Sequence, residues 1–283
     1  MQDIGLITNF WTEINSFKLG YDVYRIYINF QDVSLDTKDE IIEYFANCNN
    51  AWAVQSIKGP IDLDVYLWVK DSNKFEKFWN ITLEKYGSYF AKYTISIFTG
   101  GIACKKSYLL TDKYDKSNRE FFEFKSGGKT IEIGEIDYNL LNELAENARV
   151  PLIELAAKLG YSSQNVNYKI KNLIKKDVIK AFRVGIEISK LGLQYYKYNI
   201  YLKKHSQRKM IMDYLKGNPH VENIIFAIGW CDLQLEINVK NVEHLSQIME
   251  DIEINFPDAI RKQSFWITSK YHRLRSLPEL EFK

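Results

Sequence analysis

Residues 136–179 read IDYNLLNELAENARVPLIELAAKLGYSSQNVNYKIKNLIKKDVI, and the spacing of their apolar residues decides what the rest of the chain must accommodate. Leu140, Leu141 and Leu144 fall on one stripe of a first helix, with Asp137 placed to cap it. Pro151 stands where a second helix can begin, because its missing N–H is one that a first turn never pairs. Leu152, Leu155, Ala156 and Leu159 form that helix's inner face before Gly160 ends it. Ser162 can then accept from the open amides of a third helix, which turns Val166, Ile170, Leu173 and Ile174 inward. Three short helices in this order, followed by a strand pair through Val178 to Arg183, predict a winged helix-turn-helix over residues 135–187.

The outer face of the third helix carries Ser163, Gln164, Asn165, Asn167, Tyr168, Lys169 and Lys171. A polar outer face alone needs no function, since any amphipathic surface helix has one. Here the local charge argues further. Residues 158–183 hold seven Lys and Arg against one Asp, or +6, whereas residues 1–104 hold nine against thirteen, or −4, in a chain whose total is +2. A polyanion responds to local potential rather than to the sum. Amide side chains pair with adenine edges and lysines with guanine or phosphate, so the expected partner is double-stranded DNA. Ser162, Ser163, Gln164, Asn165, Asn167, Tyr168, Lys169 and Lys171 are the expected DNA-binding residues of the helix, and Lys180 and Arg183 on the wing are expected to meet phosphates.

An internal repeat surrounds this unit. Gly5–Ile28 (GLITNFWTEINSFKLGYDVYRIYI) aligns without gaps with Asp177–Ile200 (DVIKAFRVGIEISKLGLQYYKYNI), and GPIDLDVYLWVKDSNKF from Gly59 aligns with GWCDLQLEINVKNVEHL from Gly229. Each copy reads as strand, helix, strand, strand, helix, strand. In the second copy the helices are expected near Ser206 to Gly217 and Val242 to Phe256. Its strands are expected at Tyr195–Leu202, Val221–Ile228, Asp232–Val239 and Lys262–Ser269. The fold class is therefore α+β, a winged helix-turn-helix flanked by two ferredoxin-like (βαββαβ) sensor domains at residues 14–104 and 188–283. Tyr24, Ile26, Ile28, Tyr198 and Ile200 are too apolar to leave a sheet face wet, so the two copies are expected to stack face to face. Residues 105–134 form a linker in which Phe122 and Phe124, with Ile131 and Ile133, predict a short hairpin around Ser126-Gly127-Gly128. Because Gly5–Phe10 aligns with the wing, residues 1–13 read as the remnant wing of a first winged helix. The expectation is that the gene encodes its helices upstream or has lost them.

The 136–179 stretch resembles the Lrp/AsnC (feast/famine) regulators at Asp137, Leu140, Leu141, Ala148, Arg149, Glu154, Leu155, Ala156, Gly160, Ser162, Val166, Ile170, Leu173, Val178 and Ile179. Lys169 stands where that family usually has arginine, and Asp177 replaces the usual glycine before the wing. AIGWCDLQLEINV, from Ala227, is similar to the family's sensor domain, in which a G-x-x-D loop helps to form a small-molecule pocket. The resemblance implies effector-binding roles for Gly59, Asp62, Gly229, Trp230 and Asp232, with an amino acid as the effector. Pro60 in one loop and Trp230 in the other make the two loops unequal.

Composition narrows the alternatives. No apolar run is long enough to span a bilayer and no signal peptide precedes the first strand, so a cytoplasmic protein is expected. Cys48, Cys104 and Cys231 form no CxxC pair, which leaves neither a disulfide framework nor a metal site, and no cofactor is expected. Sirohaem decarboxylases resemble the same architecture, so an enzyme of that kind is one alternative and an interaction or ligand module without DNA binding is another. The four histidines, His205, His220, His244 and His272, are dispersed in the sequence, and no nucleophile–base pair stands out, so catalysis is not expected. A single reading helix reaches regulatory affinity poorly, which predicts a homo-oligomer.

Overall fold

Two series of elements run along the chain in the same order, and the residues that alternate along their strands decide what each series buries. The computed structural model describes residues 1–113 and 119–279. The first series is β1 (Ile7–Ile14), β2 (Asp22–Phe30), α1 (Leu35–Ala46), β3 (Ala51–Lys58), β4 (Leu63–Val69), α2 (Ser72–Tyr86) and β5 (Phe90–Cys104). A short strand, β6 (Phe121–Lys125), and three helices, α3 (Glu135–Glu146), α4 (Leu152–Leu159) and α5 (Ser163–Lys175), intervene. The second series is β7 (Ile179–Ile186), β8 (Gln194–Leu202), α6 (Arg208–Lys216), β9 (Val221–Ile228), β10 (Leu233–Val239), α7 (Val242–Asn255) and β11 (Ile260–Leu274).

Strand order within the first series is β5-β2-β4-β3 and within the second β11-β8-β10-β9. The two sets share one sheet. β5 and β11 are each 15 residues long, and each uses its first part on its own series and its second part on the other. Thus β5 pairs with β2 through Phe90–Phe98 and with β9 through Ile97–Ala103, while β11 pairs with β8 through Ile260–Trp266 and with β3 through Ile267–Leu274. The β2–β5 pairing closes the ring, so eight strands form a barrel-like sheet, with β6 paired to β5 outside the ring and β1 and β7 forming a separate two-stranded sheet. Closure removes the open edges that a free antiparallel sheet would expose.

Closure corrects the expected face-to-face stacking. Ile26 and Ile28 are fully buried against Ile41, Phe45 and Trp79 beneath α1 and α2, and Tyr198 and Ile200 against Ile211, Leu215, Leu245 and Ile252 beneath α6 and α7. The apolar strand face that needed cover is covered by each series' own helices. The opposite face points into the barrel and is polar: Arg25, Gln55, Asp64, Lys197, Asn199 and Gln234 are all buried. Asp64 Oδ2 takes Arg25 at 2.7 Å, accepts from Gln55 Nε2 at 2.9 Å and lies 3.6 Å from Lys197 Nζ, which itself donates to Tyr66 Oη at 2.6 Å. Arg25 also donates to Gln234 of the second series. Burial lowers the Lys197 ammonium to about 8, against the pull of Asp64.

The linker also departs from expectation. Phe122 and Phe124 lie on β6, but Ile131 and Ile133 form no strand. They pack into the core beside Phe17 and Leu140, and the Ile131 N–H donates to Lys18 O at 2.7 Å, so the hairpin partner is replaced by β5. The wing differs likewise: β7 pairs antiparallel with β1, brought from the other end of the chain, rather than with a neighbouring strand.

Candidate nucleic-acid interface

The reading unit is assembled by three helix ends and one distant strand. α3 begins after the extended Gly134, and Glu135 and Asp137 occupy its first turn, where the helix dipole favours carboxylates. Leu140, Leu141 and Leu144 are buried. α4 starts directly after Pro151 and stops at Gly160, whose φ of 73° is the left-handed conformation that closes a helix without a Cβ clash. Two residues later the Ser162 hydroxyl accepts from Asn165 N at 3.2 Å and caps α5. This Gly-x-Ser turn sets α5 against α4, with Val166 and Leu173 inside and Ile170 half-buried. Ile174, expected inward, is 44% exposed.

β1 anchors the unit from outside it. Thr12 is fully buried, and its hydroxyl donates to Leu144 O at 2.7 Å near the end of α3. Ala148 N donates to Phe10 O at 3.0 Å, and the Arg149 guanidinium lies 4.0 Å from the Phe10 ring centroid. At the start of the wing Asp177 has φ 62°, so it keeps the left-handed turn that glycine would make easily. Its carboxylate accepts from Lys180 Nζ at 2.6 Å and from Asn15 Nδ2 at 3.3 Å.

The outer surface of α5 is open. Ser162, Gln164, Asn165, Asn167, Tyr168 and Lys171 are exposed, Tyr168 by 70%, and Ser163 and Lys169 are half-buried. Gln164, Tyr168, Lys171 and Lys175 follow one another at helical spacing along this surface. Lys175 and the neighbouring Lys176 are exposed cations that the sequence reading passed over, although their spacing from Lys171 was the available signal. Among the described residues Lys171, Lys175 and Lys176 have no ion pair, whereas Lys169 pairs with Asp137 at 2.8 Å. The wing cations are less free than expected. Lys180 pairs with Asp177, and Arg183 lies against β9, 3.1 Å from Glu222, with only 9% of its side chain exposed. Burial raises the Glu222 carboxyl, but Lys106 and Arg183 outweigh it and hold the group below its ordinary value. Arg183 therefore joins the wing to the barrel instead of facing outward.

The two G-x-x-D loops are equivalent in construction. A Cβ on Gly59 would stand 2.6 Å from Trp266 Cβ on β11, and one on Gly229 would stand 2.8 Å from Ile95 O on β5, so each glycine admits a strand of the other series. Asp62 accepts from Phe30 N at 2.9 Å and Asp232 from Leu202 N at 2.8 Å. Trp230 stacks on Tyr27 at 4.1 Å and donates to Asn199 Oδ1 at 3.3 Å, while Pro60 O accepts from Asn29 Nδ2 at 2.9 Å. The histidines are less scattered than their numbering suggests: His220 and His244 meet edge to face at 4.5 Å. Among the described residues no group of three or more His, Cys, Asp or Glu is arranged to hold a metal. No helix there is long and apolar enough to cross a membrane.

Comparison with known proteins agrees with this geometry. Residues 134–180 match the family model described as winged helix-turn-helix DNA-binding. The chain is 26% identical over 122 residues to an uncharacterized HTH-type transcriptional regulator of Pyrococcus horikoshii, covering 42% of this chain and 81% of the relative. It is 24% identical over 113 residues to the HTH-type transcriptional regulator LrpC of Bacillus subtilis, covering 40% of this chain and 78% of that one. Over about two fifths of its length the chain is therefore similar to HTH-type transcriptional regulators, with the winged helix-turn-helix at residues 134–180 as the matched unit. A crystal structure of the siroheme decarboxylase NirDL superposes with a TM-score of 0.64 at 12% identity, covering 99% of this chain and 81% of that chain. At that identity the likeness is one of fold, and it extends beyond the winged unit to both strand series.

Proposed function

We propose that this chain regulates transcription by laying α5 in the major groove of a duplex, with a small molecule modulating the barrel. Gln164, Asn165 and Asn167 are the base-reading amides, Tyr168 offers a ring to thymine methyls, and Lys171, Lys175 and Lys176 contact phosphates. Ser162 and Ser163, at the helix N-terminus, offer hydroxyls to the backbone. The observation that carries the reading is the open polar face of α5 with its three unpaired cations. Lys169 contributes through its shared pair with Asp137, and Lys180 and Arg183 position the wing rather than bind.

The effector reading rests on the loops at Gly59–Asp62 and Gly229–Asp232. Both carboxylates already hold backbone amides, so an amino-acid-like effector would be recognised by the loop backbone around Gly59 and Gly229 and by Trp230. Self-association belongs to the same proposal, because one reading helix per chain yields weak binding on its own.

Titration of labelled genomic duplex at several salt concentrations tests the DNA reading. Binding should weaken steeply with salt, and Lys171→Ala with Lys175→Ala should flatten the log–log slope by about 0.9 per lysine. Lys169→Ala should weaken binding less than Lys171→Ala. Binding indifferent to salt, or to the double substitution, refutes the placement of α5. A thermal-shift panel of amino acids, with Trp230→Ala as control, tests the effector reading.

A further inference from the structure

Phe30 and Leu202 hold equivalent places at the ends of β2 and β8, because each N–H is bound by the carboxylate of its own series' loop, Asp62 or Asp232. Each strand is followed by a helix, α1 or α6, and later by a second helix, α2 or α7, which the Asp71 or Asn241 side chain caps. The two helix layers are therefore one construction built twice, each with its inner side on the apolar strand face of its series. Their outer sides do not match in charge. Residues 31–46 carry five Asp and Glu against one Lys, or −4, and residues 203–216 carry five Lys and Arg against one Asp, or +4. The second helices differ as well: α2 carries three Lys against two Glu, or +1, whereas α7 carries four Asp and Glu and neither Lys nor Arg, or −4.

Much of this charge is uncommitted. Asp36, Asp39 and Glu43 are exposed at helical spacing on α1, Lys203 and Lys204 are exposed at the start of the basic segment, and none of the five has an ion pair among the described residues. Lys209 and Lys216 both turn to Asp213, the one carboxylate of that segment, so cations stay in excess. Each layer also sets bare aliphatic side chains among its charges. Leu35, 81% exposed, and Ile81 stand on α1 and α2, and Met210 and Ile254, the latter 78% exposed, stand on α6 and α7. Apolar side chains among charges of one sign make an association surface, and charge of the opposite sign selects what docks on it.

We propose that the α1–α2 layer of one copy of the chain docks on the α6–α7 layer of a second copy, α1 against α6 and α2 against α7. A second copy is the occupant because the complement is already written in the chain: −4 meets +4 along one helix pair, and +1 meets −4 along the other. Two α1–α2 layers cannot pair in the same way, because −4 would face −4. Pairing of the α6–α7 layer with itself, α6 against α7, would leave the α1 carboxylates idle. Joining unlike surfaces makes the contact head-to-tail, so each copy keeps one layer of each kind free and copies add into a ring or a filament. The surface rests on the self-association proposed above and specifies it. Neither layer includes any residue of α3–α5, so the assembly presents several α5 helices at once and multiplies weak duplex contacts.

Sedimentation velocity without DNA, together with a carbodiimide that joins a carboxylate to an amine in direct contact, tests the surface. The native chain should associate at about 0.01 M salt and return to the mass of one chain near 1 M, as the screening length falls from ~30 to ~3 Å. Carbodiimide treatment of mixed isotopically light and heavy chains should link α1 carboxylates to Lys203, Lys204 or Lys209 across isotopes. Links across isotopes that avoid α1 overturn the proposal, even if no substituted chain folds. An acid-reversed chain (Asp36→Lys, Asp39→Lys, Glu43→Lys) and a base-reversed chain (Lys203→Glu, Lys204→Glu, Lys209→Glu) should each stay single at low salt, and their equimolar mixture should regain the native mass. A mixture of folded chains that stays single overturns the proposal. So does association of the acid-reversed chain by itself, which points to the α6–α7 layer pairing with its own kind. A base-reversed chain that associates normally but loses duplex binding assigns the basic segment to DNA phosphates and also overturns it. Native association that neither reversal alters refutes this surface and leaves self-association standing, whereas a native chain that is single at every salt concentration refutes self-association itself.

Discussion

Replacing Asp64 by asparagine removes the one carboxylate that faces both Arg25 and Lys197 inside the barrel. All three side chains are 3% exposed or less, so neither cation can turn to water for compensation. Removing one partner of a buried ion pair costs about 3–5 kcal/mol, because the remaining charge keeps its desolvation penalty without the attraction. With an unfolding entropy of about 2.1 cal/mol/K per residue, a chain of 283 residues loses roughly 5–8 °C in Tm. Lys197 can relieve its share by giving up its proton, since it titrates at about 8, but Arg25 cannot. Differential scanning calorimetry at pH 7 and pH 9 should therefore show the larger loss at pH 7. Arg25→Met combined with Asp64→Leu, which empties the pair, should be milder than Asp64→Asn alone. A loss below about 1 kcal/mol for Asp64→Asn, the range of exposed pairs, refutes the reasoning, as does a double substitution worse than the single one.

Lys197 is lowered in the folded chain, so the unfolded chain binds the extra proton between pH 8 and its ordinary value of 10.5, and stability from this group rises with pH across that window. In urea melts from pH 7.5 to 9.5, Lys197→Met should abolish that rise. Thr12→Val keeps the shape but leaves Leu144 O unpaired, costing about 1 kcal/mol, and amide exchange in α3 should speed up before that in the barrel. Asp177→Ala and Asp177→Gly both lose the contacts to Lys180 and Asn15, but only alanine must hold the positive φ. The alanine variant should be less stable by roughly 1 kcal/mol in denaturant titration.

The three helices were legible because Leu140, Leu144, Val166 and Leu173 recur at helical spacing and Gly160 and Ser162 punctuate them in a way that few other structures use. The repeat was legible for the same local reason. The barrel interior was not. Arg25 alternates with Ile26 and Asp64 with Leu63, and such alternation ordinarily means a wet face opposite a dry one. Nothing local reveals that the polar face is enclosed, because enclosure depends on β5 and β11 each crossing to the other series. The wing cations misled for a related reason: Glu222, which takes Arg183, lies 39 residues away on a strand whose neighbour sequence alone does not identify. At the sensor loops the G-x-x-D spacing was visible, but its structural role, a glycine for strand approach and a carboxylate for an amide, was not.

The β1–β7 ribbon bears on how this polypeptide matures. β1 leaves the ribosome well before its partner β7, which begins at Ile179, and before the α3 surface that covers it, which begins at Glu135. For more than a hundred residues of synthesis Phe10 and Thr12 lack the Ala148, Arg149 and Leu144 groups that hold them, a period in which a chaperone competes with misassembly. The three-helix unit is thus completed by a strand made long before it, and translation must run well past β1 before that unit is whole.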